Sequence, residues 1–361
     1  MVRADQHDPS FTLHGAVAPQ GHDALFALVQ LAPPLTSVPG ALRIPGLDPD
    51  RRYRLAPQPP GDTPRLRQGS PEAPIVVRHD STGCELDPAL LEKLGVHLMR
   101  YPGPLFRGSY EGQFQPYLDA VEWLEREGIA YEWLASLSAQ DYPVLPVPAA
   151  EAFLASASCD GFLRYWDVRS PESPWSRRKA RVRYWYRYRR LSPGAEPWLR
   201  ALRRVTRFLP IHVYSEYGPL LGARALRTPF HDGFRCYGGY AWHTLRRRAV
   251  LYLRDFLAGH PEVERHYRGV NSPEESLVPT VLLNSGRFDL VNDSLRYIDY
   301  RNAVKGAPRT LTVADLPELA SGHYHFARKF DLRIDREVLD RIDRELLGVD
   351  PADTFPVPVT G

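Results

Sequence analysis

The pattern of hydrophobic and polar positions changes character near residue 62. Before it, short β-prone apolar runs such as "ALFALVQLAPPL" alternate with Pro and Gly, which is typical of small antiparallel strands joined by hairpins. After it, apolar runs of strand length alternate with runs at helical spacing. The pattern therefore predicts a β-rich segment over residues 1–62, an α/β unit over 63–348 and a loose tail over 349–361.

The α/β unit opens with strands and helices in alternation. The short apolar run "APIVVRHD" (73–80) has the character of a buried parallel strand, and "GVHLMRYP" (95–102) predicts a second one. Between them, "DPALLEKLG" (87–95) has an Asp cap, helical apolar spacing and a terminal Gly, which together indicate a helix. A further helix is predicted over 109–128, interrupted at Pro116. This order predicts a mostly parallel sheet flanked by helices, with ligands at the carboxyl ends of the strands.

Composition places the chain among ordinary globular proteins. Of its 361 residues, 43% are hydrophobic and 25% are charged, with a formal net charge of +3. Cys84, Cys159 and Cys236 are too few and too far apart for a disulfide framework or a CxxC metal site, which favours a reducing compartment. The first residues lack the layout of a signal peptide, and no apolar run approaches about 18 residues. We therefore expect a cytoplasmic protein, with any membrane association limited to peripheral contact.

The segment "RRKARVRYWYRYRR" (177–190) combines eight basic residues with interleaved aromatics and contains no acid. Such a pattern can bind nucleic acid through phosphate contacts and stacking. It can also form a solvated basic face opposite a packed aromatic face, or an arginine-rich wall beside an anionic substrate. The nucleic-acid interpretation is disfavoured because no nucleic-acid-binding motif accompanies the segment.

Common catalytic and metal motifs are absent from the sequence. There is no Gly-rich phosphate loop, no HExxH and no GxSxG. His323 and His325 lie two positions apart and give only a weak metal signal. A DxD triplet at Asp48-Pro49-Asp50 has the form of a metal motif of sugar-nucleotide enzymes, but its sequence context "GLDPDRRY" is typical of a turn.

Any nucleotide-sugar chemistry would therefore need protein cations in place of a metal. An enzyme that expels a diphosphate must stabilise the developing negative charge, and Arg or Lys side chains can do so. This requirement directs attention to Arg309, Arg328 and Lys329.

Four ordered stretches carry a family resemblance: "WLASLSAQDYPV", "YGGYAWHTLRRRAVLYL", "NSPEESLVPTVLLNS" and "HFARKFD". Over residues 64–347, approximately, the chain resembles the core-2/I-branching β-1,6-N-acetylglucosaminyltransferase family, which includes the peptide O-xylosyltransferases. The resemblance implies an inverting glycosyltransferase with a GT-A-like α/β fold. It implies a UDP-sugar donor, with GlcNAc or xylose as the sugar, a glycan or glycoconjugate acceptor, and no metal or other cofactor.

The resemblance also implies roles for individual residues. The family's Ser-Pro-Asp-Glu motif aligns with Ser272 to Glu275, which makes Glu275 the general base. Glu274, one position earlier at a helix start, should point about a quarter-turn away, so we expect it to cap the turn or face solvent at the donor and acceptor cleft. The remaining implied roles are diphosphate binding by Arg309 and Lys329, nucleoside contact by Asp80, and lining of the donor and acceptor cleft by Asp141 and by Gly239 to Trp242. For Asp141, a purely structural role is an equal alternative.

The first sixty residues show a different resemblance. Residues 11–60, approximately, resemble a fragment of the C-terminal β-domain of family 36 α-galactosidases, without the catalytic barrel of that family. Where the transferase family has its first strand and helix, this chain has "RRYRLAPQPPGDTPRLRQGSPEAP". Either that unit is missing or "RRYRL" substitutes for its strand. The alternative to a transferase is therefore a catalytically inactive protein that binds a sugar nucleotide or carbohydrate.

Overall fold

The computed structural model describes the chain in segments. They cover residues 2–5, 11–17, 24–30, 63–80, 88–101, 106, 108–138, 140–195, 198, 210–214, 219–301, 307–331, 334–335 and 337–351. The chain divides into two compact units, Met1–Pro57 and Gln58–Gly361. The predicted boundary at residue 62 lies close to this division and stays a prediction, as does the loose tail, most of which is outside the described residues.

The first unit contains a three-stranded antiparallel sheet. Its strands are β1 (Val2–Asp5), β2 (Phe11–Val17) and β3 (Ala24–Gln30), with β2 in the centre. The pairing of Phe11 with Gln30 and of Val17 with Ala24 fixes the register of the second hairpin. A β-rich N-terminal segment is therefore confirmed.

The second unit combines helices with short sheets. Its α-helices are α1 (Thr63–Gly69), α2 (Pro88–Lys93), α3 (Gln115–Arg126), α4 (Val147–Ser156), α5 (Arg177–Tyr184), α6 (Arg247–Gly259), α7 (Pro261–Tyr267), α8 (Leu277–Ser285), α9 (Leu316–Ser321) and α10 (Glu337–Ile342). A π-helical turn at Tyr110–Phe114 precedes α3, so Pro116 lies in the first turn of a new helix and does not interrupt one.

The strands of the second unit form four sheets. They are β4 (Ile75–Asp80), β5 (Val96–Tyr101), β6 (Trp133–Ala135), β7 (Asp141–Pro143), β8 (Gly161–Asp167), β9 (Tyr186–Arg190), β10 (Ile211–Tyr214), β11 (Leu220–Arg224), β12 (Tyr237–Arg246), β13 (Leu290–Val291), β14 (Arg296–Ile298) and β15 (Phe326–Arg328). The sheet orders are β4-β5, β13-β8-β12-β6, β14-β15-β7 and β10-β11-β9.

Strand pairing is of both kinds. Strands β4 and β5, β8 and β13, and β14 and β15 pair in parallel. Strand β12 is antiparallel to β6 and β8, and β15 is antiparallel to β7. The α/β fold with sheets flanked by helices is confirmed, although parallel pairing within the described segments is limited to those three pairs. Strand β12, ten residues long, lies inside its sheet between β8 and β6.

Two large clusters of buried hydrophobic side chains lie in the described part of the second unit. The larger one packs α3, α6 and α8 against β8 and β12, and helix α6 contributes Ala249, Val250, Leu253 and Leu257 at helical spacing. The smaller one packs β7, β14 and β15 against α9 and α10, with Leu311 and Ile342 fully buried. None of the helices in the described segments is both long and apolar enough to cross a bilayer.

Candidate active site

The two adjacent carboxylates lie on a short 3-10 turn, Pro273–Glu275, immediately before α8. The turn begins at Ser272, whose backbone is left-handed at φ 55° and ψ 57°, a conformation that non-glycine residues adopt rarely. The Ser272 N–H donates to the Gly108 carbonyl at 2.9 Å, and the Tyr184 hydroxyl donates to the Ser272 carbonyl at 3.2 Å. Neighbouring segments thus hold a strained turn in place, as is common at functional sites.

A buried network of hydroxyl groups lies next to the turn and links it to its neighbours. The Ser276 hydroxyl donates to the Tyr237 carbonyl at 2.6 Å and lies 2.9 Å from the Tyr267 hydroxyl. The Tyr267 hydroxyl also donates to Thr280 Oγ1 at 3.1 Å. Because Tyr237 begins β12 and Thr280 lies in α8, the network joins the turn to both elements.

Glu275 forms an ion pair with Arg183, which lies on α5 in the arginine-rich segment. The Arg183 Nη1 donates to Glu275 Oε2, and the two side chains are 11% and 29% exposed. Burial alone would lower the pKa of Arg183, but the charge of Glu275 raises it above its usual value. The guanidinium also lies over the Trp175 ring, 4.8 Å from its centroid. Arg183 therefore keeps a permanent positive charge beside Glu275.

Glu274 differs from expectation. Its Oε2 is shielded from solvent and has no hydrogen-bond partner among the described residues, so it neither faces solvent nor caps the turn through this atom. Burial, followed by the charge of Glu275, raises the pKa of Glu274 to about 8. The turn therefore presents Glu275 to the Arg183 guanidinium, while burial favours the protonated form of Glu274.

Asp141 lies in the smaller core and forms an ion pair with Arg328. The Arg328 Nη1 donates to Asp141 Oδ1 at 3.1 Å, with the two side chains 7% and 0% exposed. Burial raises the pKa of Asp141, and the charges of Arg328 and Arg296 oppose that shift. Arg328 also stacks over the Trp242 ring, its Cζ 3.2 Å from the centroid. Asp141 therefore has a structural contact that holds Arg328 against Trp242.

An irregularity in β12 shapes the segment predicted to line the cleft. The register against β8 shifts between Gly239 and His243, which releases Tyr240 and Trp242 from regular pairing. A Cβ at Gly239 would come within 2.2 Å of the Arg164 carbonyl oxygen, so only glycine fits there. The Tyr240 ring lies 5.6 Å from that of Tyr300. The pKa of Tyr300 is raised by desolvation, then by Tyr240 and by the charge of Glu275, which places this aromatic pair within electrostatic reach of Glu275.

Arg309 is held by two buried carboxylates. Its Nε donates to Asp299 and its Nη2 to Asp315, while Nη1 donates to Asp315 Oδ2 at 2.9 Å. Hydrogen bonds from Arg301 and then Arg309 lower the pKa of Asp299 to about 2. A diphosphate at Arg309 would compete with these carboxylates, and its diphosphate-binding role stays a prediction.

Lys329 follows Arg328 in the chain and is partly exposed. Its backbone carbonyl accepts from the Leu311 N–H at 2.9 Å, and its ammonium contacts no other described residue through a hydrogen bond or ion pair. Lys329 is therefore a cation without a carboxylate partner in the described part of the protein, and its role in diphosphate binding stays a prediction.

Other predicted residues contribute less. Asp80 ends β4, but its side chain is outside the described features, as are Cys84 and the Asp48-Pro49-Asp50 triplet. His323 Nε2 lies 2.8 Å from Asp293 Oδ2, while His325 is buried. In the described segments, no three His, Cys, Asp or Glu side chains come together as a metal site would require.

Sequence reasoning missed one contributor and found two others in part. Tyr300 gave no signal, and Tyr240 was included only within the glycine-rich segment. Arg183 was contained in the basic segment, and its contact with Glu275 agrees with the interpretation of an arginine-rich wall beside the site. The same segment also has the predicted packed aromatic face, with Tyr184 and Tyr186 buried.

Comparison with known proteins places this site in context. No family model matches the chain. It is 27% identical over 286 residues to the β-glucuronosyltransferase GlcAT14A of Arabidopsis thaliana, covering 74% of this chain and 52% of that protein. It is 27% identical over 249 residues to GlcAT14B of the same plant, covering 64% of this chain and 47% of that protein. The chain thus spans about half the length of these relatives. The similarity relates it to glycosyltransferases and supports sugar transfer in general.

A third similarity concerns a short stretch. An α-galactosidase of Escherichia coli is 47% identical over 53 residues, which are 15% of this chain and 8% of that protein. Membership of the core-2/I-branching family and the presence of an α-galactosidase fragment both stay predictions.

Proposed function

We propose that the protein is an inverting, metal-independent glycosyltransferase that moves a sugar from a UDP-sugar to a hydroxyl of a glycan or glycoconjugate. The observation that carries the proposal is the turn at residues 272–275, in which a strained backbone holds the Glu275 carboxyl group beside the Arg183 guanidinium. The similarity to two glycosyltransferases supports the same class of reaction.

The reaction would be a single in-line displacement. Glu275 accepts the proton of the acceptor hydroxyl, the oxygen attacks the anomeric carbon, and the bond from that carbon to the diphosphate breaks with inversion. UDP leaves with its negative charge against Arg309 and Lys329, as the family resemblance implies. The Arg328 guanidinium, fixed between Asp141 and Trp242, would supply a third positive charge next to Lys329.

Two lines of support bear on the donor sugar. The family resemblance favours GlcNAc or xylose, while the named relatives are β-glucuronosyltransferases. A glucuronosyl donor carries an extra carboxylate, which needs a cation within reach, and Arg183 and Arg328 are cations that could serve it. We therefore include glucuronate with GlcNAc and xylose as the candidate donors.

An inactive binding protein is the second candidate function. It is favoured by one observation, the occupation of Arg309 by Asp299 and Asp315, because a diphosphate must displace these carboxylates to reach the guanidinium. Such a protein would bind UDP or a glycan without turnover.

Donor turnover and UDP binding separate the two candidates. The full chain would be incubated with UDP-GlcNAc, UDP-xylose and UDP-glucuronate, with and without a chelator, and release of UDP would be followed. Turnover that survives the chelator supports the proposal, and UDP binding by calorimetry without turnover supports the binding protein. Turnover that requires an added divalent ion contradicts the metal-independent mechanism.

A further inference from the structure

The arginine-rich segment contains five exposed arginines that lack partners. They are Arg177, Arg178, Arg181, Arg187 and Arg189. Their guanidinium groups form no ion pair, hydrogen bond or ring contact with another described residue. Some exposed arginines elsewhere are paired with acids, for example Arg126 with Glu127 and Arg341 with Glu345. The unpaired set is therefore a local concentration of uncompensated positive charge.

The aromatic residues of the same segment face inward. Tyr184 is fully buried and Tyr186 nearly so. The Tyr188 hydroxyl donates to the Val182 carbonyl at 2.6 Å. Single-stranded nucleic acids bind mainly by stacking bases on exposed aromatic rings. Arg187 and Arg189 alternate with these inward-facing rings on β9, so the exposed side of the strand offers charge without a stacking surface.

This charged strand lies beside the turn that carries Glu275. The Tyr188 N–H donates to the Gly269 carbonyl at 2.7 Å, and a Cβ at Gly269 would lie 3.2 Å from Arg187 Cγ. On α5, the Arg183 carbonyl accepts from the Asn271 N–H at 3.4 Å. Residues 269–271 lead directly into the catalytic turn. The unpaired charge is therefore continuous with the proposed site through Arg183.

We infer that the acceptor is a carboxylate-bearing glycan whose acidic groups pair with Arg187 and Arg189 while one of its hydroxyls reaches Glu275. This inference rests on the proposed function. Arginine forms planar, bidentate pairs with carboxylates, and exposed arginines without internal partners are free to make them. A neutral glycan would leave the five charges uncompensated.

The test compares two double variants with equal loss of charge. Arg187→Gln/Arg189→Gln removes two unpaired arginines, and Arg126→Gln/Arg341→Gln removes two exposed arginines that have acidic partners. Binding of an oligogalacturonate, and of a neutral maltooligosaccharide of equal length, would be measured by calorimetry on the full chain at about 25 and about 200 mM NaCl.

The expected result is oligogalacturonate binding that weakens with salt, falls about fivefold in the first double variant and changes less than about twofold in the second. Equal affinities in the two double variants overturn the inference. So does a preference for an oligothymidylate or for vesicles with anionic lipid over the oligogalacturonate, because the surface then serves nucleic acid or a membrane.

Glu275→Gln distinguishes failure of this inference from failure of the proposed function. In that variant oligogalacturonate binding should persist. Transfer to neutral acceptors only, with the same KM in both double variants, leaves the proposed function intact and contradicts the acidic acceptor. Oligogalacturonate binding without any transfer by the wild type supports the binding surface and contradicts the proposed function.

Discussion

Arginines with acidic partners and arginines without them occupy different regions of this protein. In the second half of the chain, Arg309 joins Asp299 and Asp315, and Arg328 joins Asp141, so these guanidinium groups connect elements of the smaller core. In the segment 177–190, five exposed arginines have no such partner among the described residues. The same residue type thus stabilises the fold in one region and remains available to a ligand in the other.

Arg183 belongs to both groups. It lies in the unpaired segment but contacts Glu275, so it is part of the site itself. The comparison suggests a rule for this protein: loss of a paired arginine should reduce stability, whereas loss of an unpaired one should reduce only the binding of anions.

The largest effect should come from Asp343→Ala. Asp343 accepts from Arg65 at 2.5 Å and from the Tyr142 hydroxyl at 2.8 Å, with the Asp343 and Arg65 side chains 4% and 2% exposed. The substitution leaves a buried guanidinium without its acid, and we expect a loss of about 3–5 kcal/mol in the free energy of unfolding. Urea denaturation measures it, with the exposed Glu345→Ala as the control, which should change little. A loss in Asp343→Ala no larger than in the control would contradict the rule.

Arg309→Met should cost less, about 1–3 kcal/mol, because Arg309 is 29% exposed and Asp299 keeps Arg301. The depressed pKa values of Asp299 and Asp315 mean that their ionised forms stabilise the fold above about pH 4, and that this stabilisation is lost as the pH falls toward 2. The stability difference between wild type and variant should therefore shrink on acidification.

Urea titrations of Arg309→Met and wild type between pH 7 and pH 3 measure this difference, with the exposed Arg126→Met as control. Lost UDP affinity in Arg309→Met would support the proposed role of Arg309 in diphosphate binding, whereas an unchanged unfolding free energy would contradict the expected loss of stability.

Glu274→Gln should alter the pH dependence of stability. Because the folded-state pKa of Glu274 is raised to about 8, the folded protein retains a proton that the unfolded chain releases, and stability falls as the pH rises from about 4.5 to 8. Glutamine cannot ionise and escapes this loss. The unfolding free energy of the variant relative to that of the wild type should therefore rise by roughly 1–3 kcal/mol on going from pH 5 to pH 9. Denaturation at both pH values tests this, with the exposed Glu122→Gln as control. Parallel pH profiles for Glu274→Gln and wild type would show that Glu274 is ionised in the fold.

The smallest effect is expected for Arg187→Gln/Arg189→Gln. Neither side chain has a described partner, so each substitution should change the free energy of unfolding by no more than about 0.5 kcal/mol. A thermal or urea unfolding curve measures it. A loss comparable with that of Arg309→Met would show that these arginines stabilise the fold after all.

The sequence predicted best where the signal is local. Strands β4 and β5 and helix α2 follow from short apolar runs, an Asp cap and a terminal Gly, and the structure confirms them. The antiparallel pairing of β12 with β6 and β8 was not predicted, because it joins residues 70 to 113 positions apart that share no local pattern.

The candidate site shows the same limit. The turn carrying Glu275 was found through its motif, but its partner Arg183 lies 92 positions earlier, and no local pattern relates the two. Likewise, the acids that hold Arg309 could not be foreseen. Asp299 follows directly after β14, and it contacts Arg309 only because the chain folds back beside that strand end. Which arginines remain unpaired is a property of the fold, not of the sequence pattern.

The most direct test of the central claim is the rate of sugar transfer in Glu275→Gln. The variant keeps the size and hydrogen-bonding capacity of the side chain but cannot accept a proton. It would be compared with the wild type and with the exposed Glu345→Gln under saturating donor. The account predicts a fall in kcat of at least about a hundredfold for Glu275→Gln, with UDP affinity retained and Glu345→Gln unaffected. An unchanged kcat in Glu275→Gln would contradict the assignment of Glu275 as the general base.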